Sequence, residues 1–202
     1  MGRIAGVTLA DTRERLLHAA AGMFAERGYD GTRVADIAAA AGVSNGALYA
    51  HFGSKAELLV AALRAHGPSA LAKLLAADPD RPVTDALLLI GCGLTRHQPV
   101  HGYLIVEALV AARRDEEVAG LVRADTGERA DWLADLVRTA QAAGEIDPEL
   151  SPGALAHFCL LLAVGSSLLT TGMHPVGEEE WAALLARVVG SLAPAHVQVP
   201  AG

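Results

Sequence analysis

Within a dozen residues the chain sets out Ser44, Asn45, Gly46, Ala47, Tyr49, His51 and Lys55. An asparagine amide can bond adenine N6 and N7 in bidentate fashion, an alanine methyl can meet the methyl of thymine, and glycine permits close approach. A phenol, an imidazole and an ammonium are donors of the kind that reach phosphate oxygens. The chemistry on offer is recognition, with no bond made or broken. Covalent chemistry finds little support, since H-E-x-x-H and G-x-x-x-x-G-K-S/T are absent and the histidines are scattered. His97 and His101 stand four apart, but Pro99 between them argues against one helix holding both toward a metal. The expectation is a protein that is not an enzyme and needs no metal or cofactor.

Recognition needs a rigid carrier, and the pattern of apolar residues supplies one. They recur three and four apart, without alternating β-branched runs, so the fold is read as all-α. Leu16, Leu17, Ala20, Met23 and Phe24 form a stripe that stops at Gly28, behind a capping pair Asp11 and Glu14. A short helix from Arg33 to Ala40 ends at Gly42, and a third begins after Ser44 as its cap. Ser54 and Glu57 form a capping box that opens a fourth, running to His66. Gly67 and Pro68 interrupt it. Apolar segments follow over 83–95, 101–112 and 116–143; Ser151 and Pro152 then open a helix to Thr171, and Glu178 starts the last. The apolar stretch 154–171 holds His157, Gly165, Ser166 and Ser167, which suits a buried helix better than a membrane span.

Three short helices joined by glycine-containing turns are the grammar of a helix-turn-helix. The ordered series Phe24-Ala25-Glu26-Arg27-Gly28-Tyr29, Thr32-Arg33-Val34-Ala35-Asp36-Ile37-Ala38, Ala41-Gly42-Val43-Ser44-Asn45-Gly46-Ala47-Leu48-Tyr49-Ala50-His51-Phe52 and Ser54-Lys55-Ala56-Glu57-Leu58-Leu59 closely resembles the DNA-binding domain of the tetracycline-repressor (TetR) family, over residues 12–59. The resemblance implies an N-terminal DNA-binding domain, 1–66, and a helical effector-binding and dimerisation domain, 67–202. Asn45, Gly46 and Ala47 then face bases, Tyr49, His51 and Lys55 face the backbone, and Thr32, capping the second helix, flanks the same surface with Arg33.

The chain's formal charge of −7 argues at first against a nucleic-acid partner. Residues 1–66, however, hold seven basic and six acidic side chains, net +1, and the remainder nine and seventeen, net −8. A near-neutral head predicts few phosphate contacts per subunit and a shallow salt dependence.

The resemblance further implies a homodimer on a palindromic operator, paired through the last two helices, whose apolar residues Leu155, Phe158, Leu162, Leu169, Trp181, Leu185 and Val188 are expected at the interface. It also implies a small-molecule pocket in the second domain. Polar or distinctive residues interrupting its apolar stripes mark Cys92, Arg96, Tyr103, Glu107, Asp125, Trp132 and His157 as candidates, although Glu107 reads sooner as a structural hydrogen-bond acceptor or the partner of an arginine, and Asp125 as an ion-pair partner of Arg129. Cys92 and Cys159 suit a reducing compartment as small apolar residues. Residues 1–10 lack an apolar leader core, which predicts a cytoplasmic protein. The whole reads as a repressor released by its ligand. An activator, a regulator without a ligand, or a helical interaction module are the alternatives, the last leaving Ser44 to Lys55 without a purpose.

Overall fold

A computed structural model describes residues 9–66, 70–94, 99–169 and 176–194, and among these every regular element is a helix. In chain order they are α1 (Leu9–Gly31), α2 (Val34–Ala40), α3 (Asn45–His51), α4 (Lys55–His66), α5 (Ala70–Ala77), α6 (Val83–Gly93), α7 (Pro99–Ala111), α8 (Glu116–Ala142), α9 (Pro152–Leu169) and α10 (Glu178–Gly190). They belong to two compact units. The first joins Met1–Gly67 to Gln98–Asp125, and the second joins Pro68–His97 to Thr126–Gly202.

The single cut expected at residue 66 therefore differs from the way the chain is packed. The reason lies in α1 and α4, whose buried Leu16, Ala20, Phe24, Leu58, Leu59 and Leu63 belong to the same core cluster as Leu104, Ala108 and Ala111 of α7 and Val118 and Val122 of α8. Phe24, Leu16, Leu58, Leu59 and Leu104 have no exposed surface at all. Fully burying a leucine or phenylalanine stabilises by about 1.5–3 kcal/mol, so 98–125 is a structural part of the head.

Several local expectations hold. Ser151 accepts from Ala154 N at 3.3 Å and caps α9, with Pro152 at its first position. Ser54 accepts from Glu57 N at 3.0 Å, and Glu57 reaches back to Gly53 N at 2.6 Å. Others do not. Helix α1 is already formed at Leu9, so Asp11 lies inside its first turn instead of capping it. The chain also continues through Gly28, which takes φ 73°, ψ 171° and breaks the helix before a last turn ending at Gly31. The eight-residue α5 escaped notice because it is too short to establish a period.

In the second unit a small cluster of Val83, Val137, Ala140 and Ile146 forms the buried centre, with Leu87, Leu136, Leu150, Leu155 and Leu192 packed against it. Thr84 donates through its backbone N–H and its hydroxyl to Glu145 Oε2, each at 3.1 Å. Trp181 Nε1 donates to Gly91 O at 2.9 Å and fastens α10 to α6.

Candidate nucleic-acid interface

The turn between α2 and α3 is held by its own backbone. Val43 N bonds Ala38 O at 2.9 Å and Gly42 N bonds Ala39 O at 3.0 Å, the paired arrangement that closes a helix through a left-handed residue. That residue is Gly42, at φ 66°. A Cβ there would also lie 2.7 Å from Arg15 Nη2. Arg15 reaches across from α1 and donates to Ala41 O, so the guanidinium grips the turn from outside. Sequence reasoning missed Arg15. Its position opposite the apolar stripe of α1 was the available signal.

Ser44 caps α3, accepting from Ala47 N at 3.2 Å. Residues 42–46 also spell G-x-S-x-G, a pattern that in hydrolases places a nucleophile at a strand-to-helix turn. Here the serine stands between two helices with its oxygen engaged as a cap, so the letters match without the structure. Leu48 (0% exposed) and Phe52 (3%) point into the core. The opposite face of α3 is left to solvent: Asn45, Gly46 and Ala50 are exposed, Tyr49 is 53% exposed, and Ala47 and His51 are half-buried. Among the described residues a Cβ on Gly46 would meet nothing nearer than Ser44 Oγ at 3.9 Å, so none of them requires glycine there. Arg13 of α1 stacks its guanidinium 5.3 Å above the Phe52 ring and adds a cation that the sequence reading did not single out.

Two expected contacts are built differently. Thr32 does not cap α2; Arg33 occupies that position, without a side-chain capping bond, and is exposed. The Thr32 side chain is 1% exposed, with its hydroxyl directed at Gly28 O (2.7 Å) and Met23 O (3.2 Å). The break at Gly28 frees that carbonyl, and the threonine satisfies it. Thr32 is thus a structural tie beneath the surface. Lys55 is half-buried, with Nζ 4.3 Å from the centre of the Tyr29 ring. Burial lowers its pKa, and the carboxylates of Asp30 and Asp115 oppose that shift.

Tyr29 is the hub of this region. Its N–H donates to Glu107 Oε1 at 2.5 Å and its hydroxyl to Asp115 Oδ2 at 3.1 Å. Burial raises the phenol pKa, and the bond to Asp115 and nearby carboxylates add to the rise. Asp115 in turn caps α8, accepting from Glu117 N at 3.0 Å and Val118 N at 3.2 Å. The Val118 N–H does most to hold its carboxyl below the ordinary value; burial opposes, and the Tyr29 hydroxyl, the Glu117 N–H and the Lys55 charge assist. Asp125, 4% exposed, accepts from Arg64 Nε at 2.8 Å.

Those bonds give Glu107 the structural hydrogen bond expected of it and Asp125 an arginine partner in Arg64. Glu107 and Asp125 belong to the first unit and are engaged in its architecture, and Tyr103, also there, is 40% exposed. His157 is exposed on α9, and Cys92 is half-buried beside Gly91. Arg96 lies outside the described residues, as do the side chain of Leu169 and those of His97 and His101. Of the candidates among the described residues, Trp132 alone lines the cavity that the second unit contains, of about 230 Å³.

That cavity is walled by helical stripes: Leu87, Ile90, Gly91 and Leu94 of α6, Arg129, Trp132, Leu133 and Val137 of α8, and facing residues of α9 and α10. Leu155, Phe158, Leu162, Leu185 and Val188, expected at a dimer interface, line it as well. Trp181 is half-buried and bonded to Gly91. What α9 and α10 leave exposed is Phe158 (44%), Leu161 (58%), Leu168 (50%) and Leu184 (53%). Helix α9 is apolar on nearly every side, so its period could not say which face turns inward.

Comparison with known proteins agrees with this geometry. Residues 16–62 match the family described as bacterial regulatory proteins, tetR family. The chain is 28% identical to the HTH-type transcriptional regulator UidR of Escherichia coli (strain K12) over 154 residues, 76% of this chain and 79% of that one. It is 50% identical to the HTH-type transcriptional repressor KstR2 of Mycobacterium tuberculosis over 64 residues, 32% of each chain. Among solved structures, a TetR-family transcriptional regulator from Rhodococcus sp. superposes with a TM-score of 0.76 and 27% identity, covering 91% of this chain and 99% of that one.

Proposed function

The chain is a DNA-binding transcriptional regulator of the TetR family, and from that premise we propose that it is a cytoplasmic repressor, bound to a palindromic operator as a homodimer and released by a small molecule. The observation that carries the reading is α3: one face locked into the core by Leu48 and Phe52, the other presenting Asn45, Gly46 and Tyr49 from a turn fixed at Gly42. Asn45, Gly46 and Ala47 read base edges, while Tyr49, His51 and exposed Arg33 meet the backbone. Lys55, drawn onto the Tyr29 ring, serves phosphate only by leaving it, and its first role is to support the head.

One head covers one half-site, and two must stand roughly 34 Å apart or a multiple of it to grip both. The exposed Phe158, Leu161, Leu168 and Leu184 are the apolar surface available to a second copy. Release requires that a ligand in the second-unit cavity bind the DNA-incompetent spacing more tightly, since a ligand indifferent to the two states shifts nothing.

The test is a gel shift on palindromic sites in the DNA upstream of the coding sequence. Wild-type protein retards such a site, and Tyr49→Phe, which removes only a hydroxyl, weakens retardation. No shift on any palindromic site overturns the regulator reading; unchanged binding by Tyr49→Phe removes the phosphate role of Tyr49.

A further inference from the structure

The cavity of the second unit has a direction. Along α8, Arg129, Trp132, Leu133 and Val137 share the face that lines it. Along that face Arg129 is half-buried, Trp132 41% exposed and Leu133 half-buried, while Val137 is 3% exposed, next to Ile146 at 0%. Arg129 and Trp132 therefore mark the rim, and Val137 and Ile146 the floor. Eight residues of helix separate Arg129 from Val137, a rise of about 12 Å.

The polarity of the cavity runs the same way. Among the described residues that line it, Arg129 is the one charged group, and no carboxylate, hydroxyl or amide side chain is present. Cys159, which also lines it, has its thiol pKa raised by burial, which keeps it neutral. A cationic ligand would find no counter-charge, and a sugar or polyol would find few partners for its hydroxyls, since Arg129 and the Trp132 indole are the only strong side-chain donors among the described lining residues and no side-chain oxygen accepts. An anion finds a guanidinium suited to bidentate pairing. Arg129 already interacts within the chain, but five N–H donors allow it to share. One guanidinium can pair with one carboxylate, and a second carboxylate would find no second cation among the described residues that line the cavity. The volume of about 230 Å³ lies below the range of roughly 300–1,000 Å³ usual for drug-sized ligands.

We propose that this cavity takes a small apolar monocarboxylate, its charged end at Arg129 and its apolar body extended along α8 to Val137 and Ile146. This names the chemical class of the effector and rests on the reading that the cavity is the effector site.

Isothermal titration of the full chain with octanoate, 1-octanol and octylammonium tests it. Octanoate binds at least ten-fold more tightly than either of the others. Arg129→Gln removes that advantage and leaves 1-octanol unchanged, and Arg129→Lys retains part of it. Ala163→Phe, which fills the body of the cavity away from the charge, abolishes binding of octanoate and 1-octanol alike while its thermal melt shows a folded chain. Equal binding of the three probes, a preference for octylammonium, no binding of any, or an octanoate advantage that survives Arg129→Gln overturns the proposal. A gel shift with octanoate separates the two readings: binding in this pattern without loss of operator affinity leaves the ligand class standing and sinks the release mechanism.

Discussion

The two units are packed to different standards. Of the largest side chains wholly withdrawn from water among the described residues, Phe24, Leu16, Ile37, Leu48, Leu58, Leu59, Leu63, Leu104, Val118 and Thr32 belong to the first, and Ile146 alone to the second. Cross-links between distant stretches occur in both: Tyr29 to Glu107 and Asp115, Arg64 to Asp125 and Arg15 to the carbonyl of Ala41 in the first, Thr84 to Glu145 and Trp181 to Gly91 in the second. The second keeps an unfilled apolar space where its helices face one another. A close-packed interior holds one arrangement, because even a methylene of misfit is felt. Placing an asparagine against a base edge needs that rigidity; admitting a ligand needs the opposite. On the proposed function, the contrast would assign reading to the first unit and response to the second.

Substitutions can break this contrast, the largest effect first. Phe24→Ala should cost about 3–5 kcal/mol in urea unfolding, whereas Leu162→Ala, half-buried on the cavity wall, should cost less than about 2 kcal/mol. Equal losses would mean that the second unit is packed as tightly as the first. Gly42→Ala forces a Cβ into a left-handed residue and against Arg15, and should cost about 1–3 kcal/mol together with operator binding. Gly46→Ala sharpens the point, since its Cβ has room. The melt should stay level or rise, by up to about 1 kcal/mol, while operator affinity falls at least about ten-fold. Undiminished DNA binding by that variant would show that α3 makes no close approach through Gly46.

The smallest effect concerns pH. The Asp115 carboxyl sits below its ordinary value of 3.8 in the folded chain, chiefly through the Val118 N–H. Its contribution to stability is therefore complete above that ordinary value and is lost as pH falls through the lower folded one. Asp115→Asn should flatten the acid limb of the stability curve and leave neutral-pH DNA binding intact. An unchanged acid limb would remove Asp115 from the tie between Tyr29 and α8.

Much of the reading unit was legible because its decisive features are local. A left-handed glycine, a capping serine and the Ser54–Glu57 pair act within four residues of themselves, so spacing reveals them. The capping role expected of Thr32 failed because its partner, the Gly28 carbonyl, is set by a break in α1, and the seat of Lys55 on the Tyr29 ring is set by tertiary packing that spacing does not reveal. Polar residues interrupting apolar stripes led to Glu107 and Asp125, which satisfy a backbone N–H and an arginine. The walls of the second-unit cavity are ordinary apolar stripes, whose periodicity is the same whether the space between them is filled or open.

The recruitment of Gln98–Asp125 into the first unit bears on how this head travels between proteins. A reading head contained in one continuous segment can be joined to a new body by a single crossover in the gene. Here the interior is completed by Leu104, Ala108, Val118 and Val122, encoded after the second unit has already begun. A chimera spliced after α4 would inherit the surface that touches DNA without the residues that finish its core. A donor body would have to bring its own counterparts of α7 and the start of α8. The transplantable module is therefore discontinuous, and exchange between relatives should succeed only where both pieces move together.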